Sequence, residues 1–184
     1  MLAKSGKYTI ELFIDDNYSE DSNDNLISYD KVHLIKSELL FSTKIGLKIH
    51  ENDKTISSAI IGSDGGGTGI DKNSHIIEDD RIAVCCSDSI FCLSIPELNL
   101  IWKTQADQSS CFEIFKFNES YIIHGEMEIS RLDLSGEVMW KRSGADIFTT
   151  EKGTDDFEIT ESYIKATDWE NRIYKFDFNG KLIE

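Results

Sequence analysis

Residues 119–140 read ESYIIHGEMEISRLDLSGEVMW, and residues 161–184 read ESYIKATDWENRIYKFDFNGKLIE. The four residues 119–122 recur unchanged at 161–164. After a two-residue insertion in the second copy the match resumes, with Asp133 on Asp177 and Gly136 on Gly180. The chain therefore repeats itself, and a repeat of this length narrows the choice of fold before any motif is considered.

A third and more degenerate copy, RIAVCCSDSIFCLSIPELNLIWKT, occupies residues 81–104 and lacks the Asp and the Gly. Its Trp102-Lys103 pair returns later as Trp140-Lys141. Each unit reads as four short strands, which in the middle copy are residues 111–117, 120–125, 128–134 and 137–142. The turns DLSG and DFNG join the last two strands, and their Asp, Asn and Gly residues suit a tight hairpin.

Four antiparallel strands per repeat are the signature of a β-propeller blade. Through the pattern D-x-x-G-x-x-x-W at Asp133, Gly136 and Trp140, the chain resembles the quinoprotein-like and WD-repeat-like β-propeller families over about residues 70–184. It is also similar to short bacterial propeller-like proteins with CFEIFK, IIHGE and ATDWENR segments. The resemblance implies a fold and no particular activity.

The expected fold is all-β, a small or partial propeller-like stack of four-stranded antiparallel sheets within one domain of 184 residues. It has three clear blades in residues 70–184, a glycine-rich connector in residues 62–69 and a divergent β segment in residues 1–61. That segment contains KYTIELFI, KVHLIKSELLFS, and the pair IGLKIH and TISSAII. It is either a divergent fourth blade or a sheet that caps an open propeller.

The charge and the cysteines restrict partners and location. The chain has 34 acidic and 19 basic residues, a formal charge of −15, so nucleic acid and membranes are not expected partners and a basic protein is. No signal sequence or membrane span is evident, which predicts a cytoplasmic location. The four cysteines have no paired C-x2-C spacing, so we expect buried thiols and no structural zinc: Cys85, Cys86, Cys92 and Cys111.

The stretch GSDGGGTG at residues 62–69 contains five glycines but is not a phosphate-binding loop, because it lacks the lysine and the following helix. We interpret it as a connector, with a ligand-facing loop as the alternative. The residues that would serve such a loop are Asp64, Gly65, Gly66, Gly67, Asp71 and Lys72.

The tips of two aligned hairpins carry the stronger candidate site, since equivalent hairpins of a propeller emerge on one rim. The expected binding residues are Glu126, Glu128, Asp168, Trp169 and Glu170. Carboxylates beside an exposed aromatic anchor suit a cationic partner. The alternative is that Trp169 and Met127 only pack against the neighbouring unit.

No catalytic constellation is visible, and the sequence predicts no catalytic residue, no metal site and no cofactor. The four histidines lie on separate strands or loops, and no nucleophile can be paired with a base from spacing. The leading hypothesis is a non-enzymatic protein-binding module, in its specific form an acidic immunity or inhibitor protein for a basic toxin or nuclease. The alternatives are a small-ligand binder or hydrolase-like enzyme, and a structural protein that self-assembles through its open edge.

Overall fold

The computed structural model describes residues 1–35, 43–153 and 156–183, and over these ranges the chain forms sixteen strands in four sheets and no helix. The first sheet contains β1 (Leu2–Ser5), β2 (Tyr8–Ile14), β3 (Lys31–Leu34), β4 (Thr43–Glu51) and β5 (Lys54–Ser63). Their order across the sheet is β1-β2-β4-β5-β3, and β3 lies parallel to β5. This sheet is therefore not a fourth antiparallel blade. The strand predicted over 31–42 is present at its start, and residues 36–42 lie outside the described ranges.

The other three sheets follow the repeats. The second contains β6 (His75–Ile77), β7 (Arg81–Cys86), β8 (Ser89–Ser94) and β9 (Leu100–Gln105). The third contains β10 (Cys111–Lys116), β11 (Ser120–Gly125), β12 (Glu128–Asp133) and β13 (Val138–Ser143). The fourth contains β14 (Phe157–Ile159), β15 (Ile164–Thr167) and β16 (Ile173–Phe176), and a bridge between Phe176 and Leu182 replaces its outer strand. Each sheet is an antiparallel meander, which confirms the propeller-like architecture.

The sheets stack face to face, and three separate apolar cores lie between them. The first core joins the N-terminal sheet, through residues such as Leu12 and Leu47, to Phe91 of the second sheet. The second core joins the second and third sheets, and the third core joins the third and fourth. Each sheet thus buries its faces against its neighbours, as a blade does.

A ring nitrogen links each sheet to the outer hairpin of the next. Trp102 Nε1 donates to Leu134 O at 3.2 Å, and Trp140 Nε1 donates to Phe178 O at 3.1 Å. At the first junction His33 Nε2 lies 3.0 Å from Leu98 O. These contacts account for the Trp of the first two copies and the D-x-x-G turn of the last two, since the tryptophan of one sheet covers the turn of the following sheet.

The two end faces of the stack differ from its interior. Residues 15–30, an acid-rich segment, place Tyr18 and Tyr29 on the outer face of the first sheet around Ile60, and Tyr29 donates to Asp15 Oδ2 at 2.6 Å. At the other end, the outer face of the fourth sheet carries the cross-strand neighbours Glu158, Lys165 and Lys175. One end is therefore covered by the chain itself, whereas the other exposes both charged side chains and the apolar Ile173.

Within the described ranges there is no helix that could span a membrane.

Candidate functional site

One end of the stack gathers most of the candidate residues. The hairpins β7–β8, β11–β12 and β15–β16 turn at this end, and the connections that lead into β6, β10 and β14 arrive there as well. We call this end the hairpin rim. The strand register places the tips of β11–β12 and β15–β16 on this one rim, as the sequence predicted.

Backbone hydrogen bonds join the two tips through the connection that precedes β14. Phe148 N donates to Glu126 O at 2.6 Å, and Trp169 N donates to Ile147 O at 2.9 Å. Met127 and Trp169 extend from this bonded framework with 38% and 48% of their surface exposed. Both side chains are therefore partly covered and partly accessible to a partner.

The four predicted carboxylates fall into two pairs. Glu128 is buried and accepts from Lys141 Nζ at 3.1 Å. Asp168 is fully buried, and it accepts from Arg172 N at 2.9 Å and from Tyr174 Oη at 2.9 Å. Burial raises the pKa of Asp168, but the hydrogen bonds from Arg172 and Tyr174 outweigh it and hold the pKa below its usual value. Glu128 and Asp168 therefore stabilise the hairpins and do not face a partner, a correction to the sequence-based interpretation.

The other two carboxylates lie at the surface. Glu126 is half-buried and accepts from Ser109 Oγ at 2.6 Å, and Glu170 is exposed and paired with Arg172. The accessible residues of the predicted site are thus Glu126, Trp169 and Glu170. The neighbouring Met127, which was not predicted as a binding residue, is exposed as well.

Asp107 positions the first tip, and the sequence analysis did not identify it. Its Oδ2 accepts from Met127 N at 2.9 Å and Glu128 N at 2.7 Å, while its Oδ1 accepts from Ser109 N and Ser110 N. The side chain is fully buried, which raises its pKa against the effect of these four bonds. A Cβ on Gly125 would lie 2.3 Å from Asp107 Oδ2, so glycine at 125 is what admits the carboxylate.

The glycine-rich stretch belongs to the same rim. Gly62 lies within β5, and the loop proper packs on residues 109–110, with Gly66 N donating to Ser109 O at 2.9 Å. A Cβ on Gly65 would lie 2.3 Å from Ser109 O, and one on Gly66 would lie 2.3 Å from Ser110 Oγ. Close packing of backbone thus accounts for Gly65 and Gly66, while Gly67 is loosely surrounded, with Thr43 Oγ1 at 3.8 Å.

The three other residues of the ligand-loop alternative occupy different settings. Asp64 Oδ1 is buried and has no hydrogen-bond partner among the described residues. Asp71 Oδ1 accepts from Asn73 N and Ser74 N, which closes the turn before β6. Lys72 is exposed beside it. The structure therefore separates Asp64 from Asp71 and Lys72.

A cavity of about 540 Å³ opens on the inner side of the hairpin rim, where the second, third and fourth sheets meet. His124 and Glu113 form its floor, with His124 Nδ1 2.9 Å from Glu113 Oε2. Asn73 Nδ2 donates to Glu113 Oε1 at 2.7 Å. A β-bulge at residue 112 brings Glu113 opposite His124, because it shifts the register between β10 and β11 by one residue.

The His124 ring at the floor of this cavity is fixed by hydrogen bonds at both of its nitrogens. His124 Nε2 lies 2.8 Å from Phe148 O, so both ring nitrogens already have protein partners. The His124 ring stacks on Phe157 at 4.6 Å and meets Phe112 edge-on at 5.5 Å. A general base needs a free nitrogen within reach of a substrate proton, and this ring offers none.

The thiols add no reactive group to the rim. All four cysteines are buried, and burial raises the pKa of Cys86 and Cys92 to about 12 and also holds the pKa of Cys85 and Cys111 well above its ordinary value. In the described part of the chain no group of three His, Cys, Asp or Glu side chains could hold a metal ion.

Solved structures share this fold at low sequence identity. BamB from Moraxella catarrhalis matches 84% of this chain with a TM-score of 0.53 at 14% identity, and the computationally designed Ika8 protein matches 77% with a TM-score of 0.52 at 9% identity. The WD40 β-propeller domain of Doa1 matches 70% with a TM-score of 0.45 at 14% identity. The chain spans 47%, 45% and 42% of the lengths of these three proteins. The first two likenesses support the β-propeller-like fold and do not extend to activity.

No protein-family model and no curated protein matches the chain.

Proposed function

We propose that the chain is a non-enzymatic protein-binding module and that its hairpin rim binds a basic protein. The observation that carries the proposal is the exposed pair Met127 and Trp169 on a bonded backbone framework, flanked by Glu126 and Glu170. Accessible aromatic anchors dominate interface energies, and the framework means that little order has to be gained on binding.

Charge supports a cationic partner. The formal charge of −15 attracts basic proteins at long range and raises their association rates. In its specific form, the proposal is that the chain acts as an acidic inhibitor or immunity protein that covers the basic surface of a toxin or nuclease.

One observation favours binding over a hydrolytic alternative. The engaged nitrogens of His124 give little support to hydrolysis. We therefore retain the binding function as the proposal.

The test compares three proteins as baits for lysate of the source cell: the wild type, Glu126→Lys/Glu170→Lys, and Asp21→Lys/Asp24→Lys. The last is a matched control, because Asp21 and Asp24 are exposed in the segment that covers the first sheet and the charge change is identical. Glu128 and Asp168 are left intact, since a lysine at either buried position would place an unpaired charge inside the protein.

The expected result is one basic protein retained by the wild type and the control, and lost from the rim variant. A further variant, Trp169→Ala, should weaken the purified complex by about 30-fold, the effect of losing roughly 2 kcal/mol at an anchor. Equal retention by the rim variant and the control, with both folded, would refute the proposal.

A further inference from the structure

The cavity on the inner side of the hairpin rim is an open cleft with a mixed polar and apolar lining. Its volume of about 540 Å³ lies within the range of roughly 300–1,000 Å³ that is usual for small-molecule sites. Phe112 and Phe157 contribute aromatic surface from two different sheets, and the ring of His124 lies against both. The cavity is therefore formed by the stacking of sheets and not by a single loop.

The charge that faces the cavity is mainly negative. The carboxylates of Asp71, Glu113 and Asp156 line it, against the ammonium of Lys72 and the ring of His124. Burial raises the pKa of Glu113, but hydrogen bonds from His124 and Asn73 outweigh it and leave the pKa below its usual value. An ionised carboxylate is thus held in the lining of the cavity by Asn73 and His124, and the His124 ring in turn contacts the two phenylalanines.

The polar contacts around Glu113 hold this carboxylate in one orientation. Asn73 comes from the connection before β6, His124 comes from β11, and the bulge at residue 112 turns Glu113 toward both. Bulges commonly re-aim a side chain next to a functional site.

Flat aromatic surface next to carboxylates suits one class of ligand. A guanidinium is planar, weakly hydrated and able to stack on aromatic rings while it donates to carboxylates. An alkylammonium is compact and strongly hydrated, so it gains less from the rings. We propose that this cavity is a binding site for a guanidinium group.

The guanidinium has two sources, an arginine side chain of a protein partner and a free guanidino compound. The arginine source rests on the function proposed above, whereas the proposal of a guanidinium site does not depend on that function. Lys72 is exposed at the mouth of the cavity and repels any cation that enters.

The direct experiment titrates the purified protein with Nα-acetyl-arginine amide and follows the backbone amide signals by two-dimensional NMR. The matched probe is Nα-acetyl-citrulline amide, which has the same shape and no charge, and a lysine derivative tests the class of cation. We expect saturable shifts centred on Asn73, Glu113 and His124, at least tenfold weaker binding of citrulline, and intermediate binding of lysine.

Three substitutions test the site, two of which should weaken binding of the arginine probe and one of which should tighten it. Glu113→Gln keeps the size of the side chain and should weaken the arginine probe by about tenfold, while Phe157→Leu should weaken it several-fold through lost stacking. Lys72→Gln should tighten binding by about threefold, because it removes a like charge from the mouth. Thermal unfolding of each variant shows whether it is folded.

The outcomes separate the two proposals. Absence of saturable shifts up to about 50 mM arginine probe, citrulline binding equal to arginine, or weaker binding after Lys72→Gln would overturn the guanidinium site. If the probe binds and Glu113→Gln leaves capture of the basic protein unchanged, the ligand is a free guanidino compound. If Glu113→Gln weakens both, the source is an arginine of the partner.

Discussion

The contact between a tryptophan and the D-x-x-G turn of the next sheet predicts a specific loss of stability for Gly136→Ala. Gly136 has a φ of +85°, and a Cβ there would lie 2.6 Å from the Trp102 ring. Two costs therefore combine: about 1 kcal/mol for a non-glycine residue in the left-handed region, and about 1–3 kcal/mol for forcing the ring away from its site. We expect Gly136→Ala to lower the free energy of unfolding by about 2–4 kcal/mol.

Gly6 provides the control, because it has a φ of +53° and an added Cβ would meet nothing within 4 Å. Gly6→Ala should therefore cost about 1 kcal/mol, the backbone term alone. At about 3 °C of melting temperature per kcal/mol for a chain of this size, the two variants should fall by roughly 6–12 °C and 3 °C. Urea unfolding followed by circular dichroism measures the free energy of unfolding of both variants.

A double substitution isolates the steric part. In a Trp102→Leu background the ring is absent, so adding Gly136→Ala should cost only about 1 kcal/mol. The reasoning would be refuted if Gly136→Ala cost no more than Gly6→Ala, or if its cost were the same with and without Trp102.

Three further predictions concern buried groups. Because burial raises their pKa, the thiols of Cys85, Cys86, Cys92 and Cys111 should not react with a disulfide reagent at pH 8 until the protein is unfolded in urea, and rapid labelling of the native protein would contradict their burial. His124 and Asn73, with Lys72 nearby, hold the folded pKa of Glu113 below its ordinary 4.5, so its contribution to stability is present above pH 4.5 and is lost as the pH falls through the folded pKa. Glu113→Gln should therefore lower the free energy of unfolding at pH 7 and flatten the acid side of its pH dependence. The exposed-site control Glu119→Gln should do neither. Asp107→Ala leaves four backbone N–H groups without their acceptor and should lower the free energy of unfolding by more than about 3 kcal/mol, whereas Asp21→Ala should change it by less than about 0.5 kcal/mol in the same urea titration.

The strands and their turns could be predicted because their signals are local. The predicted strands of the middle repeat, at 111–117, 120–125, 128–134 and 137–142, differ from β10 to β13 by at most one residue at either end. Hydrophobic alternation identifies a strand and the Asp-x-x-Gly pattern identifies a turn from only a few neighbouring residues. The repeat presents the same signals a second time. The parallel pairing of β3 with β5 was not predicted, since it joins strands that are not neighbours in sequence.

The candidate site was only partly predictable. The sequence placed the two hairpin tips on one rim, because tip position follows from strand order. It did not distinguish Glu126 and Glu170, which are accessible, from Glu128 and Asp168, which are internal. That distinction depends on where Lys141, Tyr174 and Arg172 lie in the folded chain.

The sequence by itself determined the repeat, the strands, the turns and the acidic charge, since each depends on the order and type of nearby residues. Only the tertiary structure decided the cavity, the pairing of Glu113 with His124 and Asn73, and the contact between the glycine-rich loop and residues 109–110. These features join segments from different sheets, and one of them requires a single-residue bulge. Burial and packing between sheets set them, and no local pattern in the chain encodes that geometry.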